Sequence, residues 1–125
     1  MTELVAFLST GKGSWGHVNT LLTGLNGEKW NKIFLLTNEF GMKNFPARDD
    51  VELIQLNIET SIADLTEEIQ SKLKAKIKGM EIGVNFFSGE GKEHMALVSA
   101  LMKMGLGFRL ISIDNSKTVV ELKFF

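Results

Sequence analysis

The sequence predicts an open, mostly parallel α/β sheet with helices on both faces. Short apolar runs alternate with helical patterns along its 125 residues, as in βαβ units. Two of these runs end in glycine-rich turns that open helices. Two further short runs near the end of the chain are separated by a turn of hairpin length. A hydrophobic content of 44% is enough for one folded domain, expected at residues 1–125.

The first strand is predicted at residues 4–8, an apolar run that suits burial on both faces. A glycine turn at residues 11–16 follows it and leads into a helix. Asn26-Gly27 is expected to close that helix, because both residues tolerate a left-handed backbone. The apolar face of the helix contains Val18, Leu21, Leu22 and Leu25.

The next two strands are predicted at residues 32–37 and 51–57, both rich in apolar side chains. The segment between them, residues 38–50, is expected to be irregular. It contains Pro46, the only proline in the chain.

Ser61 begins the clearest helix of the sequence. Ser61 and Asp64 resemble a capping box, and apolar residues then recur every three or four positions. Acidic residues come early and lysines late, which complements the helix dipole. We interpret the lysines as a solvated helix end rather than a nucleic-acid patch. The apolar stripe is Ile62, Leu65, Ile69, Leu73 and Ile77, and the lysines are Lys72, Lys74, Lys76 and Lys78.

Residues 83–104 are the stretch around which the rest is organised. A strand is predicted at residues 84–87, a tight turn at 88–92 and a largely apolar helix from Lys92 onward. A strand, glycine turn and helix in this order direct backbone N–H groups and the helix dipole at whatever lies above the turn. That geometry suits an anion, and Lys92 and His94 add side-chain donors there.

The last two strands are predicted at residues 108–113 and 118–124, with an antiparallel turn at 114–117. Right-handed crossovers then favour a Rossmann-like, six-stranded sheet of order 3-2-1-4-5-6 with the last strand antiparallel. The topological switch lies between strands 1 and 4, where ligands bind in such sheets. Both glycine turns follow these strands, so Lys12 and Lys92 are expected to share one crevice. Tight packing alone could also explain either turn.

The first turn, from Gly11 to Gly16, matches the dinucleotide-binding pattern G-x-G-x-x-G. Asn38 stands where that pattern expects an acid for the ribose, and Glu39 is one place late. No P-loop is present, because Gly16 is followed by His17 and Lys92 by Glu93. A non-catalytic, NAD-type binding module is therefore the alternative function. A third possibility is an interaction domain whose turns are structural.

Composition excludes several classes of function. With 14 basic and 15 acidic residues the net charge is −1, which does not suit a binder of duplex nucleic acid. The chain has no cysteine, so it holds neither a disulfide nor a thiolate metal site. No apolar run approaches the ~20 residues that span a bilayer, and a cytoplasmic location is expected. His17 and His94 lack the spacing of a zinc site, and we expect no metal or cofactor.

The two turns together resemble those of the CARF domain, the CRISPR-associated Rossmann-fold sensor of cyclic oligoadenylates. Residues 85–97, Asn-Phe-Phe-Ser-Gly-Glu-Gly-Lys-Glu-His-Met-Ala-Leu, resemble the family's Asn-x-Thr-Gly-Gly-Thr-Lys turn and its apolar helix. Residues 9–14, Ser-Thr-Gly-Lys-Gly-Ser, resemble its first loop. Glu90 stands where the family has its second glycine, and Gly91 where it has its second threonine.

The resemblance implies a homodimer that binds cyclic tetra- or hexa-adenylate across its two-fold axis. It also implies either a part of a larger effector or a stand-alone ring nuclease that cleaves the ligand without metal by attack of a ribose 2′-OH. The expected ligand-binding residues are Ser9, Thr10, Gly11, Gly13, Trp15, Asn85, Ser88, Gly89, Glu90 and Gly91. The residues expected to act in cleavage are Lys92 and Lys12 for the phosphate charge, Ser14 for orientation, and His17 or His94 for protons.

Overall fold

Six strands form a single sheet in the computed structural model, which describes residues 2–9 and 15–122. The strands are β1 (Glu3–Phe7), β2 (Ile33–Thr37), β3 (Val51–Gln55), β4 (Glu81–Asn85), β5 (Gly107–Ile113) and β6 (Val119–Leu122). The helices are α1 (Trp15–Leu21), α2 (Glu39–Asn44), α3 (Ile62–Lys74) and α4 (Gly91–Lys103). The sheet order is β3-β2-β1-β4-β5-β6, and only the β5–β6 pair is antiparallel. The predicted fold class and strand order are confirmed.

The centre of the sheet is β1, which pairs in parallel with both β2 and β4. Val5 lies between Phe34 of β2 and Val84 of β4. Because parallel strands share one direction, the carboxyl ends of β1 and β4 lie side by side at the same edge. This adjacency is what brings the segments after the two strands together.

Side chains alternate along β1 and so supply two cores, one on each face of the sheet. Val5 and Phe7 pack with buried residues of α3 and α4. Leu4 and Ala6 pack on the other face with buried residues of α1, such as Val18. Helices therefore cover both faces, as predicted.

The segment expected to be irregular contains α2, so that expectation was wrong. Asn38 caps this helix, since its Oδ1 accepts a hydrogen bond from the Gly41 N–H at 3.1 Å. Gly41 also passes very close to Thr37, because a Cβ at Gly41 would lie 1.9 Å from Thr37 Oγ1. The short helix depends on this cap and this close approach, which the spacing of apolar residues does not show.

Asn26 and Gly27 do not close α1, which ends at Leu21. Both have positive φ angles, 54° and 83°, and they form a two-residue turn. Leu25 and Glu28 exchange two backbone hydrogen bonds of 2.9 and 3.0 Å across it. The left-handed preference was identified correctly but serves a hairpin-type turn rather than a helix end.

Strand β4 and helix α3 both end earlier than predicted. Strand β4 ends at Asn85, so Phe86 and Phe87 lie beyond it rather than within it. Ser61 caps α3 as predicted, accepting from the Asp64 N–H at 3.1 Å, but the helix ends at Lys74. Ile77 packs against the core from outside the helix.

Within residues 2–9 and 15–122, no helix has the length and apolar character needed to cross a membrane.

Candidate functional site

A cleft of about 470 Å³ opens at the carboxyl edge of the sheet, where β1 and β4 end side by side. Its walls come from the ends of β1, β2 and β4, the segment before α3 and the first turn of α4. The polar side chains of the described lining include Ser9, Glu59, Ser88, Glu90, Lys92 and Glu93. The cleft lies at the predicted topological switch.

A second cleft, of about 670 Å³, lies at the opposite edge of the sheet. Both carboxylates of its described lining, Glu3 and Glu52, already have partners. Glu3 accepts hydrogen bonds from the backbone N–H groups of Lys78 and Gly79 at 3.0 and 2.8 Å, and Lys76 pairs with Glu52. We therefore take the smaller cleft, where two strand ends and a helix N-terminus converge, as the candidate site.

The ends of β1 and β4 are joined by a direct hydrogen bond. The Ser9 N–H donates to Ser88 Oγ at 3.0 Å, and Ser88 is buried. On the other side of the same residue, His94 Nε2 lies 2.8 Å from the Ser88 carbonyl oxygen. Ser9, Ser88 and His94 thus form one connected group that fixes the shape of the cleft floor.

Gly89 is required by both conformation and space. Its φ angle is +92°, in the left-handed region that side chains disfavour. An added Cβ would lie 3.2 Å from Phe7 Cβ, 3.2 Å from Glu93 Oε1 and 3.3 Å from His94 Nε2. Gly91, by contrast, is the first residue of α4 and has open space around it.

The N-terminus of α4 already has a carboxylate partner. Glu90 is the N-cap residue, and its backbone N–H donates to Glu93 Oε1 at 2.6 Å. Glu93 is buried, and the helix dipole favours its negative charge. This role of Glu93 was not predicted, although its position three residues after the N-cap is the spacing of a capping box.

Lys92 connects α4 to the segment before α3. Its Nζ donates hydrogen bonds to the carbonyl oxygens of Ile58 and Thr60 at 2.6 and 2.9 Å. An ammonium group has three hydrogens, so one remains for a ligand in the cleft. Lys92 therefore positions one wall of the cleft as well as lining it.

His17 lies on α1 and stacks against Phe87, with ring centroids 3.9 Å apart and planes 12° apart. Burial lowers the pKa of His17, and a hydrogen bond with the Asn85 side chain acts in the opposite direction. Among the described residues, His17 Nε2 is buried without a hydrogen-bond partner. Its imidazole is therefore neutral at neutral pH.

Asn85 organises this corner of the cleft from a buried position at the end of β4. Its Nδ2 donates to the Ile111 carbonyl at 2.8 Å, and its Oδ1 accepts the Phe87 N–H at 3.1 Å. Asn85 thus holds Phe87 and His17. It is not among the described residues that line the cleft, and its ligand-binding role stays a prediction.

Trp15 is buried in the core formed with α1, in edge contact with Phe45 at 5.5 Å between ring centroids. Its indole N–H donates to the Ser9 carbonyl at 3.3 Å. The structure thus places Trp15 under the end of β1 as a packing residue. The other residues predicted in the first turn, Thr10, Gly11, Lys12, Gly13 and Ser14, lie outside the described residues, and their roles stay predictions.

The described lining of the cleft has more acidic than basic side chains, with Glu59, Glu90 and Glu93 against Lys92. Ionised carboxylates only accept hydrogen bonds, so this part of the cleft suits hydroxyl and amino donors. Where a dinucleotide site expects an acid, the Asn38 side chain caps α2. Glu39 is turned to Lys43 at 2.7 Å on the surface.

An open apolar groove of about 820 Å³ runs along the outer side of α4. Met95 and Met102, on its lining, are 62% and 69% exposed. Phe86 and His94 line the end of the groove nearest the cleft. The groove and the cleft are thus neighbours on the surface.

Over residues 2–9 and 15–122, no group of three or more His, Asp or Glu side chains is arranged to hold a metal ion. His17 and His94 belong to α1 and α4, which cover opposite faces of the sheet. No protein-family model matches the sequence, and no curated protein matches it.

Proposed function

We propose that the cleft binds a cyclic oligoadenylate, cyclic tetra- or hexa-adenylate, as the ligand of a CARF-like domain in CRISPR antiviral signalling. The observation that carries the proposal is the hydrogen bond from Ser9 to Ser88 Oγ. It joins the two turns of the resemblance at the switch point of the sheet, where nucleotides bind in open α/β folds. A second messenger of this kind acts in the cytoplasm, which is the location we propose.

The polar groups of the cleft suit different parts of such a ligand. The third hydrogen of the Lys92 ammonium is available for a phosphate oxygen, and Lys12 is the second cation proposed for this role. The carboxylates of Glu59 and Glu90 are acceptors for ribose hydroxyls and adenine amino groups. The proposed contacts are thus divided between two lysines for the phosphates and two carboxylates for the ribose and adenine donors.

A homodimer is the second part of the proposal. The apolar groove on α4, with its exposed Met95 and Met102, supports burial against a second copy. Because the groove adjoins the cleft, pairing through α4 would bring two clefts close together. A two-fold dimer then presents the same residues twice to a cyclic ligand of repeated nucleotides.

Ring cleavage is the third part. The 2′-hydroxyl of a ribose gives its proton to a base and its oxygen attacks the adjacent phosphorus. The bond from phosphorus to the 5′-oxygen breaks and that oxygen takes up a proton, which leaves one linear product that ends in a cyclic phosphate. Lys92 and Lys12 would offset charge on the phosphorus oxygens, worth about 3–4 kcal/mol per well-placed donor. His94 already contacts Ser88, and the buried Nε2 of His17 faces no described partner, so either would have to move to transfer a proton.

The experiment is incubation with cyclic tetra-adenylate and cyclic hexa-adenylate in EDTA. Binding is followed by a thermal shift and products by chromatography. Linear products establish a ring nuclease, whereas a thermal shift without products establishes a binder. Lys92→Ala and Ser14→Ala should weaken either activity. Lys29→Ala, which changes an exposed lysine before β2 at the opposite edge of the sheet, is the matched control. The absence of both a thermal shift and products would overturn the proposal. NAD and NADP are then tested in the same assay.

A further inference from the structure

Phe87 is a large aromatic side chain exposed at the rim of the cleft. Its exposed fraction is 64%, and it belongs to the cleft lining. Among the described residues, the other exposed large apolar side chains are Met, Ile or Leu, so Phe87 is the aromatic member of that set. It lies beyond the end of β4 and is not part of either core.

The ring of Phe87 is held in place although it is exposed. The imidazole of His17 covers one side of it at 3.9 Å and nearly parallel. The backbone N–H of Phe87 is fixed by Asn85 Oδ1, and Asn85 is itself fixed by its bond to Ile111. A ring fixed before the ligand arrives loses little conformational freedom on binding.

We propose that Phe87 is a stacking platform for a purine base of the ligand. The inference rests on the proposed function in taking that ligand to be a nucleotide, and it assigns the base to a residue that was not among the expected ligand-binding residues. An exposed aromatic face at the rim of a cleft offers sequence-tolerant stacking. Since the imidazole beneath it is uncharged at neutral pH, the His17–Phe87 stack itself offers no cation for phosphate.

The same arrangement provides two ends of the site, which contact different parts of the ligand. The base end is the His17–Phe87 stack, and the phosphate end is the Lys92 ammonium across the cleft lining. A ligand with phosphate but no base would therefore use only one of the two ends. That difference provides the test.

The experiment uses Phe87→Trp, whose new indole reports stacking by fluorescence quenching. The wild type, which contains only the buried Trp15 and Trp30, gives the background signal. Titrants are cyclic tetra-adenylate, AMP and ribose 5-phosphate. Phe87→Leu removes the aromatic face but keeps an apolar side chain, and Met80→Leu, 82% exposed beyond the opposite edge, is the matched control. We expect AMP or cyclic tetra-adenylate to quench Phe87→Trp, ribose 5-phosphate not to quench it, and Phe87→Leu to weaken nucleotide binding about 5- to 100-fold.

The outcomes separate this inference from the proposed function. Quenching by AMP, when neither cyclic tetra-adenylate nor cyclic hexa-adenylate binds, upholds the stacking platform and overturns the proposed ligand. If cyclic tetra-adenylate binds without quenching Phe87→Trp, and its affinity is unchanged in Phe87→Leu, the platform is overturned and the proposed ligand stands. No quenching by either nucleotide overturns the platform whatever else binds. A loss of self-association in Phe87→Leu with nucleotide affinity unchanged would assign Phe87 to a protein interface and also overturn it.

Discussion

The Ser9 N–H and the Ser88 hydroxyl oxygen are 3.0 Å apart, although the two residues are separated by 79 positions in the chain. Their hydrogen bond ties the end of β1 to the segment that follows β4. Parallel pairing stops near this point, at Ala6 and Asn85, so the bond extends the contact between the two strands by a side chain. The floor of the cleft is therefore a fixed structure rather than two independent loops.

Ser88→Ala should destabilise the fold by about 1 kcal/mol, because it removes the buried acceptor of the Ser9 N–H. Urea unfolding measures the change. Ser116→Ala, at the exposed β5–β6 turn, is the control and should fall within about 0.5 kcal/mol of the wild type. Equal stabilities for the two variants would show that the hydrogen bond contributes nothing to the fold.

Gly89→Ala should destabilise by about 1–3 kcal/mol, because alanine is strained at a φ of +92° and its Cβ would crowd Phe7 and Glu93. Gly91→Ala is the matched control two residues later. It begins α4 with open space around it, and alanine favours helix, so its effect should be neutral or slightly stabilising. Thermal unfolding of both variants gives the comparison, and a Gly89→Ala variant as stable as Gly91→Ala would contradict the geometry of the turn.

The topology could be predicted because each strand is a local apolar run and each crossover has one favoured hand. The boundary of β4 could not, because Phe86 and Phe87 are as apolar as the strand residues before them. One is half-buried against a core and the other is exposed at the cleft, and an apolar run does not distinguish these cases.

The contacts of the site residues were harder to predict than their positions. Lys92 was identified from the turn, but its carbonyl partners Ile58 and Thr60 precede it by 34 and 32 residues. The stacking of His17 on Phe87 likewise joins α1 to the end of β4. Such pairs depend on how elements pack, which local patterns do not contain. Glu93 was different, because the spacing of a capping box was visible in the sequence.

Lys92→Met should lower stability by about 1–2 kcal/mol and loosen the segment before α3, since the ammonium holds two of its carbonyls. Hydrogen exchange of residues 57–61 measures the loosening. Lys103→Met changes an exposed lysine at the other end of the same helix and should leave that exchange unchanged. If Lys92→Met affects ligand binding without any change in exchange, Lys92 is a ligand contact only and not a positioning residue.

A Met95→Glu and Met102→Glu double variant should weaken self-association by at least about tenfold, since charge in an apolar contact lacks compensation. Sedimentation over a range of concentrations measures the dimer constant. Met80→Glu introduces the same charge at a distant exposed position and should leave the constant unchanged. A wild type that remains monomeric at every concentration would exclude the proposed dimer through α4 in the absence of ligand.

The stability of the fold should depend on the protonation of His17. Burial places the pKa of His17 below its ordinary value of 6.5. Between the folded pKa and about 6.5 the unfolded chain therefore binds more protons, and stability rises with pH. The contribution of the neutral His17 imidazole to stability is fully present above the unfolded pKa. It is lost as the pH falls through that value towards the folded pKa.

His17→Phe keeps a ring against Phe87 but cannot be protonated. The stability of both proteins is measured by urea unfolding at about pH 7.5 and about pH 5.5. The wild type should lose more stability than His17→Phe when the pH is lowered. Comparing the two losses removes the effect of carboxylates, which both proteins share. If the losses are equal, the His17 imidazole titrates alike in the folded and unfolded chains. The stack would then tolerate a charged imidazole. The burial of His17 would no longer imply that the platform for the purine base is uncharged.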